Sequence, residues 1–227
     1  MNENMIKNNP YKADVDKMYT YLKAYLKGTV MNESLRALSY ARRMHKDQTR
    51  KDGLPYIAHP LRMACYAAAL GIKDDATMCT ILLHDICEDC GVPFDELPFA
   101  ACIRTGVKYV TVTQFDTDRS KDETKRRYYS ELIYSPEACI TKGIDRYDNL
   151  TDMIFSLSND AIGKNTAETD ILLLPVLKQA KDKYSDLSDI LYVIRTNLKS
   201  IAGIYMTIFN SDYEKWKKIF VGQESGQ

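Results

Sequence analysis

Apolar residues recur at three- and four-residue spacing along most of the chain. No long run of alternating β-branched residues interrupts them, so the pattern predicts helices. Between Tyr11 and Leu26, the residues Val15, Met18, Tyr19, Leu22 and Leu26 form one amphipathic stripe. Asn32-Glu33-Ser34 opens a second helix, with Leu35, Leu38, Ala41 and Met44 on one face. The segment Gln48 to Ile57 breaks the period with Asp52-Gly53 and Pro55 and reads as a loop. Pro60 suits the first turn of a third helix, which runs to about Leu70 and is stopped by Gly71. Asp74 or Asp75 caps a fourth, which carries Ile81, Leu82, His84, Asp85 and Glu88 and ends at Gly91-Val92-Pro93. Further helices are predicted near Pro98 to Val110, Lys121 to Tyr134, Pro136 to Ser156, Thr166 to Tyr184 and Ser188 to Phe209, with a polar tail after Val221. Thr113 to Ser120 and Ser156 to Asn165 read as loops.

The expected fold class is therefore all-α, a bundle of roughly eight to ten helices. At 227 residues the chain suits one domain with a sizeable core. The expected organisation is a single domain over 1–227, with a motif core at about 34–155 and a helical annex at about 160–220. The longest apolar runs, Met63 to Leu70 and Ile171 to Leu177, are too short to span a bilayer. The N-terminal Met1-Asn2-Glu3-Asn4 lacks the apolar core of a signal peptide, so a cytoplasmic location is expected.

Charge adds little globally and more locally. Thirty-one basic and 31 acidic residues cancel, which gives no indication of nucleic-acid binding. Yet Arg42, Arg43, Lys46, Arg50, Lys51 and Arg62 face only Asp47 and Asp52 in their stretch. Such a cluster suits either a polyphosphate ligand or a solvated helix face. Six cysteines include Cys87-x-x-Cys90, but no second pair stands at zinc spacing and no βαβ context makes it a redox motif. Reduced, partly buried thiols are expected.

The candidate chemistry lies in three fragments. The first, Arg50-Lys51-Asp52-Gly53-Leu54-Pro55-Tyr56-Ile57-Ala58-His59-Pro60, contributes His59. The second is Leu82-Leu83-His84-Asp85-Ile86-Cys87-Glu88-Asp89, and the third is Lys142-Gly143-Ile144-Asp145-Arg146-Tyr147-Asp148-Asn149. Two imidazoles and two carboxylates make a divalent-metal set that leaves positions for water and substrate. On a continuous helix His84 would share a face with Glu88, and Asp85 with Asp89. Taken singly, each fragment has an ordinary reading. His-Asp can close an exposed acidic helix end, His59 before a proline can be a packed residue, and Asp145-Arg146 can be a surface pair. His45, expected mid-helix without acidic companions, reads as a supporting residue.

Together and in this order, the fragments resemble the HD-domain metal-dependent phosphohydrolases. The order Arg-Lys-x-Gly-x-Pro-Tyr-Ile-x-His-Pro, Leu-Leu-His-Asp-x-x-Glu-Asp and Asp-Arg-x-x-Asn is similar to the hydrolase domain of the RelA/SpoT family. Ala41 and His45-x-x-Gln48-x-Arg50 fit the same lead-in. The resemblance covers about residues 34–155 and implies hydrolysis of the 3′-pyrophosphate of ppGpp or pppGpp. It implies metal ligands at His59, His84, Asp85 and Asp145, a catalytic pair at Glu88 and Asp89, and nucleotide contacts from Arg50, Lys51, Tyr56 and Asn149. The implied cofactor is one divalent ion, Mn²⁺ by family preference, although the donor set suits Fe²⁺, Co²⁺ or Zn²⁺ equally. Two positions depart from the long family members, which carry Glu at Leu54 and His at Asp148. The alternatives are another HD-type phosphohydrolase, acting on a nucleoside monophosphate, a dNTP or NADPH, and a catalytically silent nucleotide-binding module. Oligomeric state has no signature here.

Overall fold

The computed structural model describes residues 14–50, 53–112 and 121–222. Among them the all-α reading holds, and the only extended pairing is an isolated bridge between Thr49 and Pro55. The helices are α1 (Val15–Gly28), α2 (Asn32–Met44), α3 (Ala58–Ala69), α4 (Asp75–Leu83) and a single turn α5 (Ile86–Asp89). They continue as α6 (Ala101–Val110), α7 (Lys121–Glu131), α8 (Pro136–Asp152) and α9 (Asn159–Glu168). The chain closes with α10 (Leu174–Lys183), α11 (Ser188–Ile208) and α12 (Asn210–Val221). No helix among the described residues is long and apolar enough to cross a membrane.

Helix α4 sits at the centre. Every residue from Thr77 to Leu83 is buried, as expected of a helix apolar on all sides. It packs against α2, α3, α6 and α8, and α8 in turn packs against α3, α6 and α11. Helices α3, α4 and α8 are the ones that carry the chemical fragments. Two aspartates at the start of α4 divide the capping work. Asp74 accepts the Thr77 amide of its own helix at 2.6 Å. Asp75 instead accepts the Glu33 and Ser34 amides at 3.0 and 2.8 Å, capping α2 from a neighbouring element. Helix α2 begins at Asn32, as expected, but has no side-chain cap of its own.

Three expected boundaries change. The fourth helix does not run through to Gly91; it stops at Leu83, and a turn at His84 and Asp85 precedes α5. His84 Nδ1 bonds the Ile81 carbonyl at 2.9 Å, the acceptor a continuing helix would offer to the Asp85 amide. Ser156 to Asn165 is not a loop. Ser158 accepts the Ala161 amide and caps α9, which packs closely on α12. The predicted helix from Thr166 to Tyr184 is split by a π-helical turn over Thr169–Leu173. Pro175 at the start of α10 has no amide to give Ile171, which accounts for the break. Thr113 to Ser120 lies outside the described residues.

Candidate metal centre and adjoining cavity

The loop between α2 and α3 folds back as a narrow hairpin. Arg50 N–H donates to Leu54 O at 2.8 Å and Tyr56 N–H to Gln48 O at 2.9 Å. Gly53 adopts φ +80°, a conformation that costs a residue without Cβ nothing. This hairpin delivers Arg50 and Tyr56 to the face where α3 presents His59, the α4–α5 turn presents His84 and Asp85, and α8 presents Asp145. Lys51 lies outside the described residues.

His59, His84 and Asp145 are all buried, and their ligand atoms lie within 4.8 Å of one another. His59 Nε2 is 3.2 Å from Asp145 Oδ1 and 3.9 Å from Asp85 Oδ2. His84 Nε2 is 2.9 Å from Asp85 Oδ2 and 3.9 Å from Asp145 Oδ1. Donors about 2.1 Å from one ion lie roughly 3.0 Å apart at right angles and about 4.2 Å apart when opposite, so these spacings suit a shared cation. The protons point the same way. His84 Nδ1 faces the Ile81 carbonyl, which can only accept, so Nδ1 carries a hydrogen and Nε2 is the nitrogen left to face a cation. That buried Nε2 has no hydrogen-bond partner, although a carboxylate oxygen stands beside it. His59 Nδ1 likewise faces Asp148 Oδ2 at 2.7 Å, which leaves its own Nε2 turned to Asp145.

The carboxylates are held ionised. Burial would raise the pKa of Asp145, but Lys142 and the two imidazoles outweigh it and hold the group well below the carboxylate range. Lys142 Nζ bonds Asp145 Oδ2 at 2.8 Å. Burial likewise opposes ionisation of Asp85, and His84 and His59 lower it nonetheless. Burial alone would lower His59, yet its bonds to Asp145 and Asp148 raise its pKa to about 9. A proton and a cation therefore compete for this side chain.

Two residues expected at the nucleotide also clasp the centre. The Tyr56 hydroxyl donates to Asp85 Oδ2 at 2.6 Å, and Asn149 Nδ2 donates to Asp145 Oδ1 at 2.6 Å. Both line a cavity of about 500 Å³ together with Arg50, Arg146, Asp152, Met153, Leu157 and Asn165. The candidate metal cluster and the cavity thus share a wall. Arg50 is partly buried, 3.5 Å from Asp152. Glu88 and Asp89 are exposed on α5, where Glu88 Oε1 accepts the Val112 amide at 2.6 Å. The helix break removes the expected continuous-helix stacking of His84 on Glu88. His45 is buried at the end of α2 rather than mid-helix; it bonds Gln48 and stacks on Tyr56 with ring centroids 4.7 Å apart.

The basic stretch does not form one patch. Arg42 pairs with Asp16, Arg43 lies over the Tyr40 ring, and Arg62 turns inward to Asp148 and Asp152. All six cysteines are free thiols, and burial pushes Cys87 up to about 11. Sequence reasoning missed Lys142, Asp148 and Arg62. Each stands three residues from an expected ligand position, a spacing that by itself does not say which way the side chain faces.

An all-α bundle with His…His-Asp…Asp drawn to one point has the make-up of an HD domain, and a family model described as HD domain matches residues 37–101. The match includes His59, His84 and Asp85; Asp145 falls beyond it. The guanosine-3′,5′-bis(diphosphate) 3′-pyrophosphohydrolase MESH1 of Homo sapiens is 36% identical over 132 residues, 56% of this chain and 72% of that protein. The chain belongs to the family of HD-domain guanosine-3′,5′-bis(diphosphate) 3′-pyrophosphohydrolases that includes this protein. A protein of the same enzyme name from Aquifex aeolicus is 33% identical over 121 residues, 52% of this chain. A GTP pyrophosphokinase of Streptomyces coelicolor is 27% identical over 176 residues, 74% of this chain. The chain spans only 17% and 20% of the lengths of these last two.

Proposed function

We propose that this protein hydrolyses the 3′-pyrophosphate of ppGpp and pppGpp, giving GDP or GTP and pyrophosphate. The carrying observation is the shared wall: Tyr56 and Asn149 touch the carboxylates of the metal cluster and also line the 500 Å³ cavity. A phosphoryl group beside the cluster and a nucleoside in the cavity then belong to one substrate. The names of the relatives support the same substrate class.

His59 and His84 would hold a divalent cation through Nε2, with Asp85 and Asp145 supplying oxygens. Bound there, the ion, Mn²⁺ by family preference, neutralises phosphoryl charge and acidifies water. Glu88, anchored by the Val112 amide, takes the proton of the attacking water, and Asp89 orients that water. The water oxygen bonds to phosphorus as the bond between phosphorus and the 3′ oxygen breaks, Glu88 passes its proton to the 3′ oxygen, and pyrophosphate and the nucleotide separate. Arg50 offers a planar cation to stack on the guanine, with Lys51, Tyr56 and Asn149 lining the nucleotide site. Residues 1–227 act as one hydrolase domain, and six free thiols suit a reducing cytoplasm.

The test is purified protein offered ppGpp, dGTP, GMP or NADPH, with Mn²⁺ or with EDTA. Pyrophosphate released from ppGpp only when metal is present is the expected result. Turnover of NADPH or dGTP in preference would replace this substrate, and no turnover of any compound would point to a silent binding module.

A further inference from the structure

Asp148 is a charged residue buried on α8, one helical turn past Asp145. It is not among the residues that line the cavity. Its Oδ2 accepts His59 Nδ1 at 2.7 Å and Arg62 Nη2 at 2.6 Å, while Oδ1 accepts Arg62 Nε at 2.7 Å. Arg62 therefore grips the carboxylate in a two-pronged fork, the strongest and most directional of such contacts. The same Nη2 reaches Asp152 Oδ2 at 2.9 Å, and Arg50 approaches that oxygen at 3.5 Å. Two arginines thus balance two aspartates in a partly buried group. His59 and Arg62 are three apart on α3, while Asp145, Asp148 and Asp152 share one face of α8. The two helices meet along this line.

We infer that Asp148 is a positioning residue for the metal centre: it fixes His59 as the Nδ1–H tautomer and turns the Nε2 lone pair toward Asp85 and Asp145. A carboxylate in this place does more than orient the ring. It makes the imidazole a more basic ligand, and removing such a partner typically weakens metal binding about 10- to 100-fold. Arg62 tethers the carboxylate without touching the imidazole. The inference rests on the reading of the cluster as a metal site.

The competing account is that Asp148 and Arg62 only rivet α3 to α8. Metal titration separates the two. Protein is stripped with EDTA, dialysed, and titrated with Mn²⁺ alone, free ion being counted by its paramagnetic resonance. Asp148→Asn is expected to weaken Mn²⁺ binding by about 10- to 100-fold. Arg62→Gln, which breaks the rivet and leaves the His59 contact, is expected to lower the urea midpoint with a smaller loss of affinity. Equal Mn²⁺ affinity in folded Asp148→Asn, or equal losses in both variants, overturns the inference. A wild-type measurement covers the case in which Asp148→Asn does not fold. In protein labelled with ¹⁵N-histidine and loaded with Zn²⁺, His59 should be protonated at Nδ1 and coordinated through Nε2. The reverse pattern overturns the inference whatever the variants do. Wild-type protein that binds neither ion would instead remove the metal reading itself, and this inference with it.

Discussion

Glu88 stands exposed on a single helical turn beside the proposed metal ligands, with one oxygen held by the Val112 amide. Glu88 thus has access to water, as the proposed base requires, whereas Asp145 is buried and Asp85 only partly exposed. Glu88→Gln keeps the shape and removes the base, so turnover of ppGpp should fall by about 10²- to 10⁴-fold. Mn²⁺ affinity should not change, because Glu88 is not among the donors; full activity would remove Glu88 from this role. His59 gives a second expectation. Its pKa is raised to about 9, so below that value a cation must displace a proton. Mn²⁺ affinity of the stripped protein should therefore rise as pH increases from 7 toward 9, which titration at three pH values reads directly. The convergence of His59, His84, Asp85 and Asp145 was legible because residue type and order together narrow the options. Asp148, Lys142 and Arg62 were not, because nothing in an Asp or Lys three residues from a ligand says which way it faces until the helices pack.

At the scale of the element, period and caps were enough for most helices, and they failed where a partner lies far along the chain. Asp75 shows this. Sequence spacing offers Asp74 and Asp75 as alternative caps of α4, yet the fold uses both, one for α4 and the other for α2. Asp75→Ala leaves two amides and the Ser34 hydroxyl of α2 without this acceptor. It should cost about 2 kcal/mol in urea unfolding. Mn²⁺ affinity should survive, since α2 carries no ligand. Helix α9 failed to register for a related reason. Ser158, Asn159, Asp160, Gly163 and Asn165 look like loop residues, but Gly163 is where the α12 backbone comes closest, and a Cβ there would run into Asp212 and Tyr213. The composition that suggests a loop is what permits a tight helix contact. The break after Leu83 belongs here too. It depends on a histidine ring taking a backbone carbonyl, which periodicity cannot register.

Across the whole molecule, the metal helix is joined to the C-terminal helices by a buried ionic group. Arg146, next to the proposed ligand Asp145, donates to Asn165 Oδ1 at 2.6 Å, to the Tyr129 hydroxyl at 2.8 Å and to Glu168 Oε1 at 2.5 Å. Lys125 also pairs with Glu168, so α7, α8 and α9 meet at one carboxylate. Arg146 and Asn165 line the cavity, which makes this junction part of the proposed nucleotide site as well as of the fold. Glu168 is buried, which alone would raise its pKa; Arg146 and Lys125 outweigh burial and lower it to about 2 from an ordinary 4.5. A depressed carboxylate stabilises the fold at every pH above its unfolded value, and that contribution is lost as pH falls from about 4.5 toward 2. Glu168→Gln leaves a buried guanidinium and an ammonium short of a counter-charge, a change that typically costs about 3–5 kcal/mol. Urea unfolding at pH 7 should show that loss, and the difference from wild type should shrink as pH drops below 4. Where the variant stays folded, KM for ppGpp should rise more than Mn²⁺ affinity falls, because the cavity loses part of its wall while His59, His84 and Asp85 keep their places. Parallel losses in both would mean that the ionic group serves the metal helix alone.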